Sequence, residues 1–128
     1  MKDLIADSLV QIKNAEKEGV RECILKGSSR LLKEILTVMN KEGYIGDYEI
    51  IDDGRGGLIK LSLIGKINQA GSIKPRFSAK MGDFEKFEKR YLPAKNFGIL
   101  ILSTIKGIMT HEQAKKAGIG GQLIAYVY

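Results

Sequence analysis

The sequence predicts an α+β protein of two small lobes, an N-terminal α-β-α-β-β lobe over 1–66 and a mainly β C-terminal lobe over 67–128 with one short helix. Three observations carry this. Apolar residues recur twice at helical spacing, at Leu4, Ile5, Leu9 and Ile12 and again at Leu32, Ile35, Leu36 and Met39. Two later segments alternate at the period of a strand. Between 65 and 75 the periodicity lapses, Gly and Pro gather, and the charge balance changes.

The first helix is expected over 2–18, with Gly19 where a left-handed cap belongs. Val20 to Leu25 reads as a short strand, and its Cys23 as a packed small hydrophobe rather than a nucleophile. Gly27, Ser28 and Ser29 supply a turn and an N-cap for the second helix, which stops at Gly43. Tyr44 to Ile51 is the next strand, with Tyr44, Tyr48 and Ile50 on one face. Ile59, Leu61 and Leu63 share a face of its partner, with Lys60 and Ser62 opposite. The intervening Asp52, Asp53, Gly54, Arg55, Gly56 and Gly57 form a hairpin loop. They do not form a phosphate loop, because they lead into a strand and lack the Gly-Lys-Ser/Thr ending. Residues 65–75 are the linker.

In the second lobe, Asp83 to Arg90 has room for two helical turns before Pro93. Phe97 to Leu102 is a continuous apolar strand that runs into Ser103 and Thr104. Thr110-His111-Glu112-Gln113 has the capping-box pattern, so the one short helix covers 111–117 and ends at Gly118. Ile119 to Tyr128 is the last strand.

The net charge is +6, and it is not spread evenly. Residues 1–66 hold 11 Lys and Arg against 11 Asp and Glu, whereas residues 67–128 hold 10 against 4. A basic field of this kind attracts a polyanion. A single cysteine forbids an intrachain disulfide and makes a reducing compartment the default. No apolar run reaches the ~18 residues that a membrane span needs. Asp3 and Asp7 also stand where a signal peptide would be apolar, so secreted and membrane classes are set aside.

Catalysis has little support. The only histidine, His111, reads as a surface or capping residue without an evident partner to orient its ring. One Cys and one His assemble neither a zinc cluster nor a nucleophilic pair. Asp52 and Asp53 read as solvated turn formers rather than metal ligands. The expectation is therefore a non-enzyme with no cofactor, no metal and no small-molecule substrate.

The second lobe offers a binding site instead. Ser103 and Thr104 end a buried strand, and Ile105-Lys106-Gly107 makes a tight turn. Hydroxyls there suit phosphate and sugar oxygens of an irregular RNA surface. Gly120 and Gly121 let another backbone approach closely, with Gln122 adjacent. Lys95, Lys115 and Lys116 flank the region, and Tyr91 offers a ring for an unpaired base.

Together these residues bring a resemblance into view. Residues 97–116, FGILILSTIKGIMTHEQAKK, followed by GIGGQLIAY, resemble the C-terminal signature of the small-subunit ribosomal protein eight family. Asp7, the run Ile12 to Ala15 and Gly43 to Gly46 are similar to that family's first helix and first hairpin strand. The stretches at Tyr48–Gly57, Ile73–Phe77 and Arg90–Ala94 look like its archaeal and eukaryotic branch.

The resemblance implies direct binding to a central-domain helix of small-subunit rRNA, early assembly of the subunit, and neighbouring ribosomal proteins as partners. It leaves the chain's own messenger RNA as a further partner through mimicry of the rRNA site. The family's Ser-Thr contact falls on Ser103 and Thr104, and its Gly-Gly contact on Gly120 and Gly121. Ile105 stands where bacterial relatives often carry a third hydroxyl, an expected shift of that side chain toward packing. From the first lobe, Ser29 and Arg30 are the RNA candidates.

Overall fold

Helix α1 (Leu4–Lys17) buries Ile5, Leu9 and Ile12, the stripe marked by their spacing. The computed structural model describes residues 4–26, 29–51, 54, 57–74, 76–94 and 97–128. Expectations resting on Asp3, Gly27, Ser28, Asp52, Asp53, Arg55, Gly56, Pro75 and Lys95 therefore lie outside the described residues. Strand β1 (Glu22–Lys26) turns Cys23 and Leu25 inward. Burial pushes the Cys23 thiol up, so it stays protonated and packs as an apolar group. Helix α2 (Arg30–Lys41) starts at Ser29, whose side chain accepts a hydrogen bond from the Leu32 amide at 3.1 Å. Its buried face holds Leu32, Ile35, Leu36 and Met39 as expected, with Val38 added.

Strands β2 (Ile45–Ile51) and β3 (Leu58–Leu63) complete an antiparallel sheet in the order β1-β3-β2. Ile59, Leu61 and Leu63 point inward together. The expected face of β2 needs one correction. Ile45 pairs with Leu63 and Tyr48 with Leu61, three residues against two, so a bulge lies between them. The set on the face of Leu63, Leu61 and Ile59 is therefore Ile45, Tyr48 and Ile50, of which Ile45 is buried, Tyr48 half-buried and Ile50 exposed; Tyr44 precedes the strand. Asn40 holds the bulge by donating to the Gly46 carbonyl at 3.0 Å. The Tyr48 hydroxyl lies 2.9 Å from that of Thr37 on α2. Hydrophobic alternation cannot reveal an inserted residue, because the insertion resets which parity faces inward.

The stretch read as a linker is partly built. The Glu16 carboxylate accepts from the Gly65 amide at 3.2 Å and the Ile67 amide at 3.1 Å, tethering the chain after β3 to α1. Ala70–Ser72 then forms β4. The chain divides into two compact units, 1–70 and 71–128. Ile67 to Ala70, which lie between this division and the expected one at 66, carry no charge, so the whole +6 stays with the second unit.

The second unit is a sheet with helices packed against it. Strands β5 (Ser78–Ala79), β6 (Ile99–Thr104), β7 (Gly107–Thr110) and β8 (Gly121–Val127) join β4 in the order β4-β8-β6-β7, and β5 also pairs with β8. There are two helices rather than one. A 3-10 turn (Met81–Asp83) leads into α3 (Phe84–Tyr91), which buries Phe84 and Phe87 and stops before Pro93. Helix α4 (His111–Ala117) has the expected capping box between Thr110 and Gln113, and Gly118 closes it at φ +73. Phe84, Phe87, Leu92, Leu100, Leu102 and Leu123 form the centre of this unit's core.

Candidate nucleic-acid interface

Three strand ends meet in one open groove of the second unit: Ser78 to Lys80, Ser103 to Ile105, and Gly120 to Gln122. Pairing fixes their alignment, because Gln122 on β8 lies opposite both Ser103 on β6 and Ser78 on β5. Of the candidates, Ser103, Thr104, Gly120, Gly121 and Gln122 line this groove. Ser78, Ala79 and Lys80 line it too, and nothing in the sequence singled them out. Strand β5 is only two residues long, too short for any periodic signal, and Lys80 stands in no motif that would mark it.

The two hydroxyls differ. Thr104 Oγ1 donates to the Gly107 carbonyl at 2.8 Å and accepts from the Lys106 amide at 3.1 Å, so its proton is spent closing the β6–β7 turn. Ser103 Oγ has no hydrogen-bond partner among the described residues, which leaves it a donor and an acceptor for a ligand. Ile105, at the hairpin tip, is 91% exposed. It does not turn toward packing as expected, since a two-residue turn projects its side chain away from both strands. Lys106 is exposed beside it, just outside the groove lining.

The glycines serve the protein's own backbone first. A Cβ on Gly120 would lie 2.3 Å from the Ala79 carbonyl oxygen, and one on Gly121 would lie 2.3 Å from that of Ser103. The expected close backbone approach exists, and its partners are β5 and β6. The side-chain-free surface that results lies in the groove.

The other candidates stand elsewhere. Tyr91 is half-buried, stacked on Tyr126 at 5.5 Å between centroids, and does not line the groove. In the first unit, Ser29 caps α2, and Arg30 pairs with Glu34 at 3.5 Å on an exposed face. Lys115 contacts Glu88, while Lys116 is exposed.

His111 is corrected outright. It is 3% exposed, neither a surface group nor the cap, which is Thr110. Its Nδ1 accepts the Leu100 amide at 3.1 Å and its Nε2 lies 3.1 Å from Glu88 Oε1. The first bond requires Nδ1 to be bare, so the neutral ring carries its proton on Nε2 and donates to Glu88. Burial lowers its pKa, and the Glu88 carboxylate opposes that shift. The sequence hid this because Glu88 lies in another helix. Such a ring fastens α3 and α4 to β6 and offers no free nitrogen to a substrate.

Among the described residues no three His, Cys, Asp or Glu side chains gather into a cation site, and no helix is long and apolar enough to cross a membrane. What the groove presents is a free serine hydroxyl, bare backbone, an exposed isoleucine and Lys80. That set matches a ribose-phosphate surface, where hydroxyl and backbone contacts follow shape and a cation holds phosphate. Residues 3–128 match the family model described as Ribosomal protein S8.

Proposed function

Because the chain belongs to the ribosomal protein S8 family, a structural family of the cytoplasmic small ribosomal subunit whose members bind rRNA and meet neighbouring ribosomal proteins, we propose that it grips a central-domain helix of that rRNA through the Ser103 groove. In this reading it acts early in subunit assembly. The observation that carries the proposal is the convergence of β5, β6 and β8 ends on one groove around an unpartnered Ser103 hydroxyl. Ser103 and the Gly120-Gly121 backbone read sugar and base edges, Ile105 lies against a ribose, and Lys80 and Lys106 hold phosphates. Thr104 contributes by setting the turn and through its remaining lone pair. The sequence stretches at 48–57, 73–77 and 90–94 favour the archaeal and eukaryotic branch.

Removing one hydroxyl that a ligand uses costs roughly 0.5–1.5 kcal/mol, so Ser103→Ala is expected to weaken cognate rRNA binding about 2- to 12-fold. Weak binding to an unrelated duplex should remain. A filter-binding titration on both RNAs checks this, and an equal loss on both removes the groove's recognition role. Nuclease footprinting of the purified protein on small-subunit rRNA tests the location, and protection outside the central domain would overturn that part.

Few phosphates are neutralised in this reading. The plot of log K against log salt should therefore have a slope of magnitude on the order of 3–5. A slope near zero in the same titration would contradict a charge-assisted grip.

A further inference from the structure

Arg90 closes the last turn of α3 with its guanidinium 5.2 Å from the Phe77 ring centroid and 5.5 Å from that of Tyr91. Each ring is itself stacked, Phe77 on Phe87 at 5.7 Å and Tyr91 on Tyr126 at 5.5 Å. The planar cation therefore sits on a platform fixed by two aromatic pairs. A guanidinium held over rings in this way still has N–H groups to offer an anion.

The carboxylates nearby are committed elsewhere. Glu85 pairs with Lys89 at 3.6 Å, Glu88 takes His111 and Lys115, and Asp83 accepts the Lys80 amide. Arg90 has no ion-pair partner among the described residues, and four residues earlier on the helix stands another cation, Lys86, 5.6 Å over Phe87. Arg76, next to Phe77, is exposed as well and likewise lacks an ion-pair partner among them. Two positive charges, Arg90 and Lys86, thus lie on one aromatic cluster without an ion-pair partner among the described residues, and a third, Arg76, adjoins it in the chain.

This surface is joined to the groove's β5 wall through the chain. Phe77 accepts the Leu123 amide at 2.9 Å and directly precedes Ser78, which forms the groove's β5 wall. Arg90 therefore lies over the ring of the residue that adjoins the wall.

We infer that Arg90, held over Phe77 and Tyr91, is a phosphate anchor for RNA just outside the Ser103 groove, with Lys86 one turn earlier on the same helix. The inference rests on the groove being the RNA site. A guanidinium prefers phosphate because its fork donates two parallel hydrogen bonds, and fixing it beforehand lowers the entropy lost on binding. An acidic protein segment could satisfy the charge but would not account for the place of Arg90 beside the residue that adjoins the groove's β5 wall.

The test uses full-length protein and a transcript of small-subunit rRNA, with Arg90→Met, Arg90→Lys and Ser103→Ala compared. Arg90→Met is expected to weaken binding about 3- to 10-fold on cognate and unrelated RNA alike and to reduce the salt slope by about 1. Arg90→Lys should keep the slope while losing part of the affinity, because the charge remains and the fork does not. Thermal midpoints of both variants should stay close to the parent's. Unchanged affinity and slope for Arg90→Met, with Ser103→Ala still impaired, overturns the anchor and leaves Arg90 a cover for the aromatic cluster. Unchanged RNA binding with poorer incorporation into subunits overturns it in favour of a protein partner. If Ser103→Ala is also without effect, the groove itself has failed as the RNA site.

Discussion

Gly121→Ala is expected to destabilise the protein by about 1–3 kcal/mol, the range for forcing atoms into a packed space, and to weaken rRNA binding by about tenfold in addition. The methyl would stand 2.3 Å from the Ser103 carbonyl oxygen and 2.9 Å from Thr104 Cγ2. A carbonyl in a strand cannot swing aside as a flexible side chain can. The β6 and β8 ends must part, and parting them misplaces Ser103, Gln122 and the turn closed by Thr104. Gly120→Ala should act similarly from the other wall, since its methyl would lie 2.3 Å from the Ala79 oxygen. Gly82→Ala is the control, because nothing stands within 4 Å of the added atom. Urea midpoints and RNA titrations on the three variants separate the possibilities. Lost affinity at full stability would mean that the glycines are bare for the ligand alone, and no loss of either would contradict the close strand approach.

That pair of glycines also shows how sequence and structure divide the information. A Gly-Gly at the start of a strand announces that some backbone comes near, yet identifying the neighbour requires the pairing of β8 with β5 and β6. Helices α1, α2 and α4 were legible because apolar spacing and caps are local, down to the Thr110 and Gln113 box. The β2 face was not, since the bulge between Ile45 and Tyr48 shifts parity without altering composition. Strands β4 and β5 escaped because three and two residues are too few for a period to show. At the site, the Ser-Thr pair was visible as chemistry. The distinction between a free Ser103 and an occupied Thr104 hydroxyl depends on a turn that only coordinates reveal. The same holds for Lys80 and Arg90, whose significance comes from what lies beside them in space.

His111→Ala should cost about 2–3 kcal/mol at neutral pH, since it strips a buried amide of its acceptor and a carboxylate of its donor. The parent protein should also lose stability as pH falls, for a reason readable from the ring's two bonds. Protonation would put a hydrogen on Nδ1, which faces the Leu100 N–H at 3.1 Å, donor against donor. Burial opposes the charge first. The Glu88 carboxylate favours it, the Lys115 ammonium opposes it, and Glu112 favours it weakly. The folded pKa is therefore lowered from the ordinary 6.5, whereas the unfolded chain titrates near that value. On acidification the unfolded state takes up the proton first, so stability is lost as pH falls below the unfolded value and levels off once the folded pKa is passed. Urea midpoints measured from about pH 7.5 down to about pH 5 should fall for the parent and stay flatter for His111→Ala in that window. NMR of the imidazole should find the proton on Nε2 at neutral pH. A ring titrating at the ordinary value, or carrying its proton on Nδ1, would contradict the arrangement. Because β6 holds Leu100 at one end and Ser103 at the other, loosening this fastening should reach the groove, and rRNA affinity should decline along with stability on the acid side.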